Sequence, residues 1–144
     1  MVFQLTLHHE IKKPADEVFL CLTEMSKFTE VHPVIYKIEE LGNDDSGSAR
    51  YLIYEKLKLG FIPCAFTYTA KVESDCENQR VWMSASIRKL VHIKMQFVLE
   101  AQAEKTLVLE TLDFESCLPL RPILEKTFRT QHRQLFLNIE KFQI

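Results

Sequence analysis

Glycine is nearly missing from this chain, with three in 144 residues. A phosphate cradle needs several backbone positions free of a Cβ, so so few glycines leave little material for one. The sequence also contains no Gly-x-Ser-x-Gly element, no dinucleotide fingerprint and no His-Glu-x-x-His pair. Close cysteine pairs are absent too. Cys21, Cys64, Cys76 and Cys117 stand far apart, without the spacing of zinc or redox motifs, and are expected to be reduced, mostly packed thiols with no metal among them. No apolar run approaches the roughly 18 residues of a membrane span. Met1 leads directly into alternating Val2-Phe3-Gln4-Leu5-Thr6-Leu7, without the basic start and long apolar core of a signal peptide. Nor is there an excess of either charge: 18 Lys and Arg against 20 Asp and Glu, scattered singly, give a net −2. This offers nucleic acid or an anionic bilayer no electrostatic footprint. The expectation is a cytoplasmic protein without cofactor, metal, nucleic-acid partner or stable membrane insertion.

What is present is a core. Residues 1–144 make one domain, and 47% hydrophobic residues can fill its interior. The one long amphipathic segment spans 120–142, of which roughly 20 helical residues would run about 30 Å at 1.5 Å each, with Pro122 in its first turn and no later Pro or Gly. Leu124, Phe128, Leu135, Ile139 and Phe142 share one arc, and Lys126, Arg129, Thr130, Arg133 and Glu140 the opposite one. Gln131 and His132 intrude on the apolar arc. Upstream, residues 2–10 alternate as a strand. Lys13 to Glu17 starts a helix that buries Val18, Phe19, Leu22 and Met25, Ser26 is placed to cap a second short helix, and His32-Pro33 ends it. Strands follow at 34–41, 49–58, 61–74, 80–88, 91–101 and 105–116. A loop at 42–48, the glycine at 60 and other short polar turns separate them, so the strands form an antiparallel meander.

The run Lys13-Pro14-Ala15-Asp16-Glu17-Val18-Phe19, followed by Phe28-Thr29-Glu30-Val31-His32-Pro33-Val34 and Ile38-Glu39-Glu40, resembles the opening of the START-like superfamily, also called SRPBCC. The order of elements matches along essentially the whole chain. The resemblance implies an α+β helix-grip fold: a curved seven-stranded antiparallel sheet wrapped around the C-terminal helix, with two short helices after the first strand. It also implies a cavity between sheet and helix for an apolar ligand. Members include lipid-transfer domains, ubiquinone-binding proteins and polyketide cyclases or dehydratases.

Alternation then assigns the strand faces. In 49–57 the odd positions are the more apolar, which turns Glu55 inward with Ile53 and Leu57; Phe66 and Tyr68, Met83 and Ile87, and Met95 and Phe97 do the same on the next three strands. Val108, Glu110, Leu112 and Phe114 share one face of the last strand. The candidate ligand-binding set is therefore Glu55, Phe66, Tyr68, Met83, Met95, Phe97, Glu110, Leu112, Phe128, Gln131, His132 and Leu135. Bulges could flip either acid outward, or a local Arg could pair with it, and His132 could be an ordinary core histidine. His8 and His9 point to opposite faces, His32 sits in a connection, and His92 and Trp82 face outward. Three readings are open. A small hydrophobic molecule is bound or transferred; or a polyketide cyclase or dehydratase uses His132 and Glu110 for proton transfer; or the domain docks on a partner while ten Phe and four Tyr fill its interior. An entrance is expected between the long helix and 42–48 or 58–63, since loops move more easily than a meander.

Overall fold

Apolar alternation along the first residues produces β1 (Val2–Ile11), whose Phe3, Leu5, Leu7 and Ile11 are buried while the residues between them face out. A computed structural model of the chain describes residues 1–59 and 61–143. After β1 come α1 (Ala15–Thr23) and α2 (Met25–Val31). The strands β2 (Ile35–Asn43), β3 (Ala49–Leu59), β4 (Ile62–Asp75), β5 (Arg80–Ile87), β6 (Val91–Ala101) and β7 (Thr106–Ser116) follow, and α3 (Arg121–Lys141) closes the chain. The seven strands form one antiparallel sheet in the order β1-β7-β6-β5-β4-β3-β2. Sequential hairpins build β2 to β7, and β1 then adds beside β7 in an unbroken register from Val2↔Glu115 to Ile11↔Thr106. The two short helices connect the opposite edges of the sheet.

The core falls into two clusters, joined by α3. Leu135, Phe136 and Ile139 of the helix pack with Ile53, Met83, Phe97 and Val108 from the sheet and with Phe19, Leu22 and Val31 from the short helices. Leu124 and Phe128, nearer the start of α3, pack on Phe3, Leu5, Leu112 and Phe114, where Phe3 and Phe114 stack at 4.6 Å. The helix stripe is as expected, with Phe136 added to it and Phe142 just past the helix end.

Some local expectations change. Ser26 caps nothing: α2 starts two residues earlier than that cap implies, with Glu24 extended at its N-cap and the Glu24 carbonyl accepting from Lys27 and Phe28 at 3.0 and 2.9 Å. Met25 accordingly opens α2 instead of ending α1. Burial of Phe28 and Val31 sets that start, and an exposed serine one position after it cannot compete. Strand β2 runs on through Gly42 to Asn43, so the connection shortens to a turn in which Asp44 Oδ1 accepts from the Ser46 and Ser48 N–H groups at 3.0 Å. Gly47 supplies the positive φ of +89° there. Strand β5 ends at Ile87 because Arg88 and Lys89 form the hairpin turn, with φ of 50° and 59°, in the region glycine or asparagine ordinarily fills. All four cysteines are free, but Cys76 and Cys117 are exposed, so only Cys21 is a fully packed thiol. The turn expected at Gly60 lies outside the described residues.

Leu135 is fully buried between α3 and the sheet. Leu135→Ala is expected to destabilise the fold by about 2–5 kcal/mol through lost burial and a residual cavity. Chemical denaturation measures this; a loss under about 1 kcal/mol would mean that the helix face is not held as described.

Candidate functional site

Residues of β3 to β6 on the concave face, α3 opposite them and α2 at one end enclose a cavity of about 810 Å³. This is within the range of small-molecule sites, roughly 300–1,000 Å³, and it contradicts the filled interior of the docking-module reading. The aromatic residues went into the walls. Phe66, Met83, Met95, Phe97 and Phe128 line the cavity as expected, and Phe28 and Met25 of α2 add to it. Glu55, Tyr68, Gln131 and His132 bring polar groups to the same space. Leu112, Leu135 and Glu110, expected in the wall, do not line it. Leu112 and Leu135 are packed into the core clusters behind the wall, and Glu110 is sealed behind His132. Lys58, Ile123, Lys126 and Thr130 reach the cavity on its outer side, where Ile123 is 54% exposed, whereas no residue of 42–48 lines it. The opening thus lies toward α3 and the end of β3.

The most buried carboxylate is Glu110, at 0% exposure on β7. Its Oε2 is hydrogen-bonded to Nδ1 of His132, and its Oε1 lies 3.0 Å from Nε2 of His9. Strand parity brings His9 inward beside Leu7, which pairs with Glu110 across the sheet, and its ring stacks on Phe136 at 4.1 Å. Burial pushes the Glu110 carboxyl up, yet the two histidines outweigh it and hold the group below its ordinary range. With Nδ1 committed to the carboxylate, Nε2 is the nitrogen His132 has left for the cavity.

His32 is the second histidine that the sequence reading passed over. Its position at the end of α2 places it in the cavity wall, with its ring centroid 6.4 Å from that of His132. The backbone N–H groups of Val34 and Ile35 both donate to His32 Nδ1 at 3.2 Å, which fixes the hydrogen on Nε2. Burial, then the nearby His132, push its pKa down to about 3, so the ring is neutral. Both missed residues left a trace in the sequence. His9 keeps the odd parity of Leu5, Leu7 and Ile11, and His32 directly follows the buried Val31.

Glu55 on β3 stands apart from this set. It pairs across the sheet with Phe66 and is 7% exposed. Burial drives its pKa up to about 7, against the pull of the Tyr68 hydroxyl and of His132. Tyr68 in turn is raised well above its ordinary value by its own burial and by the carboxylate beside it. Among the described residues no group of three or more His, Cys, Asp or Glu is arranged to hold a metal ion, and no helix is long and apolar enough to cross a membrane.

A sheet curled around a terminal helix is shared with solved structures across nearly the whole chain. An aromatase/cyclase, Zhui, from a Streptomyces species superposes with a TM-score of 0.78 over 98% of this chain and 93% of its own, at 14% identity. A START superfamily protein from Mycobacterium smegmatis gives 0.72 over 96% and 94% at 15% identity. The fold is START-like. The major latex-like protein 151 of Panax ginseng has it as well, with a TM-score of 0.76 over 97% and 96% at 13% identity. No protein-family model and no curated protein sequence matches the chain.

Glu55 makes stability depend on pH. Its folded pKa of about 7 is above the ordinary 4.5, so the stability it contributes as a neutral group is fully present below about pH 4.5 and is lost as pH rises through 7. Glu55→Gln should remove that loss, gaining up to about 3 kcal/mol over the parent near pH 9 and little at pH 4. Urea melts across this range test it; parallel curves for the two proteins would contradict the burial of an ionisable carboxyl.

Proposed function

We propose that this protein binds or transfers a small, largely apolar molecule held between the sheet and α3. The observation that carries this reading is the cavity itself. It holds about 810 Å³ behind apolar walls, with the polar side chains confined to a few inward positions. Well-packed interiors leave few voids larger than a water molecule, so a space of this size is an occupant's space. The free thiols and the near-neutral surface suit a cytoplasmic protein whose partner is a small molecule.

Ala70, half-buried on β4 with its side chain toward the cavity, gives a direct test. Ala70→Phe adds a ring inside the void without removing any core contact. An apolar fluorescent dye should bind the parent at one per chain and the variant at least about tenfold more weakly, with both melting at similar temperatures. Equal binding by the two folded proteins would place the dye elsewhere and reject the cavity as the site.

A second reading, a cyclase or dehydratase acting on a bound carbonyl compound, draws on one feature: Glu110 orients His132 from behind and leaves Nε2 toward the ligand, the arrangement a general base requires. In that case His132→Gln lowers turnover by about 10²–10⁴ while binding weakens by tenfold at most. If the parent leaves every bound enolisable ketone unchanged, the enzyme reading fails and His132 serves to orient the ligand.

A further inference from the structure

The chain treats its two inward carboxylates in opposite ways. Glu110 is flanked by two histidines, each within bonding distance of one oxygen. Glu55, almost as buried, forms no ion pair with any described residue, and the Tyr68 hydroxyl is the polar group beside it. A carboxylate that deep, with no ion-pair partner in contact and open to an apolar void, is destabilising unless something else supplies the charge. Its neighbours favour a cation over other occupants. Phe66 lies directly opposite Glu55 across the β3–β4 ladder, and Tyr68 is two residues further along the same face. Their rings, with centroids 5.9 Å apart and planes tilted by 31°, form an aromatic pair on the strand face that carries the carboxylate, and aromatic faces attract cations. Gln131, His32 and His132 also line the cavity, but none of them offers a negative charge: Nδ1 of His32 is taken by backbone N–H groups, and His132 gives Nδ1 to Glu110 and keeps only Nε2 for the cavity.

Building on the binding reading above, we infer that the ligand is an apolar amine, whose ammonium is received between Glu55, Phe66 and Tyr68 while its hydrocarbon body fills the rest of the cavity. When the amine enters as its ammonium ion it keeps its protons, and a neutral Glu55 gives its own proton to solvent, so that an ion pair forms where a carboxylic acid stood. The titratable groups facing Glu55 are Tyr68 from β4, His132 from α3 and His32 from the α2–β2 connection. Of these, Tyr68 and His32 are held neutral near pH 7. Lys58 and Lys126 also reach the cavity, on its outer side. They would instead hold an anionic head at the rim, which is the alternative the test must separate.

Dodecylamine, dodecanol and dodecanoate share one tail and differ only in the head. Each is titrated against dye-loaded protein near pH 8, below its critical micelle concentration. Dodecylamine should displace the dye at a concentration at least about tenfold lower than dodecanol. Glu55→Gln should abolish that preference, so that amine and alcohol displace the dye from the variant at concentrations within about twofold of each other. Calorimetry near pH 7 in buffers of different ionisation heat should show proton release from the parent on binding dodecylamine. This readout does not depend on the variant folding. Equal displacement by amine and alcohol, or binding without proton release, overturns the inference but leaves the binding reading standing. A preference for dodecanoate also overturns it, assigning the head group to Lys58 and Lys126. Failure of all three to displace the dye overturns both.

Discussion

Much of this structure depends on a buried carboxylate, that of Glu110, held between histidines from the first strand and the last helix. A charge at 0% exposure is tolerated only with partners, and here the partners come from elements that lie at opposite ends of the sequence. The same contact ties α3 to the β1–β7 edge of the sheet and sets the rotation of the helix about its axis, because His132 must face β7. With that rotation fixed, Leu135, Phe136 and Ile139 fall on the core and Phe128 and Gln131 on the cavity. One hydrogen-bonded cluster therefore divides the helix into a packed half and an open half.

The open half is possible because the sheet curves away from the helix. Where α3 lies on β1 and β7, aromatic stacking and close packing fill the gap, as between Phe3, Phe114 and Phe128. Where it passes over β3 to β5, large side chains stand around the void instead of crossing it. The wall is not uniform. Most of it is apolar and offers an occupant area but little orientation, while Glu55 with Tyr68 and His132 with His32 offer fixed polar contacts. These two groups differ in kind. The histidines are committed through Nδ1 to other atoms of the protein, whereas Glu55 has its principal unfilled interaction on the cavity side. On the proposed binding reading, selectivity among apolar ligands follows more naturally from that carboxyl than from the surrounding hydrocarbon, since contacts with methyl and phenyl groups discriminate weakly between molecules of similar size.

The strand faces, the helix stripe and the order of elements could be read from the residues because each is set by a local period. Two residues per repeat turned Glu55, Tyr68, Met83 and Phe97 inward, and 3.6 per turn placed Leu135 and Ile139 on the core. The small errors were local too. The start of α2 and the end of β2 shifted by one or two residues where a buried Phe28 or a strand partner outweighed a favourable cap or a glycine. Period also showed that His132 and Glu110 point inward, but could not say that they meet.

That meeting, and the space beside it, belong to the tertiary structure. His9 and Glu110 are 101 positions apart, and His132 is a further 22 from Glu110, so their convergence depends on which edge of the sheet β1 joins. Whether a phenylalanine fills the interior or lines it depends on the curvature of seven strands together, a sum of many long-range contacts that no single segment encodes. By itself the sequence determined which side of every element is apolar. Only the folded chain decided how far apart those sides stand, and so which of its buried acids found partners and which faces an open cavity.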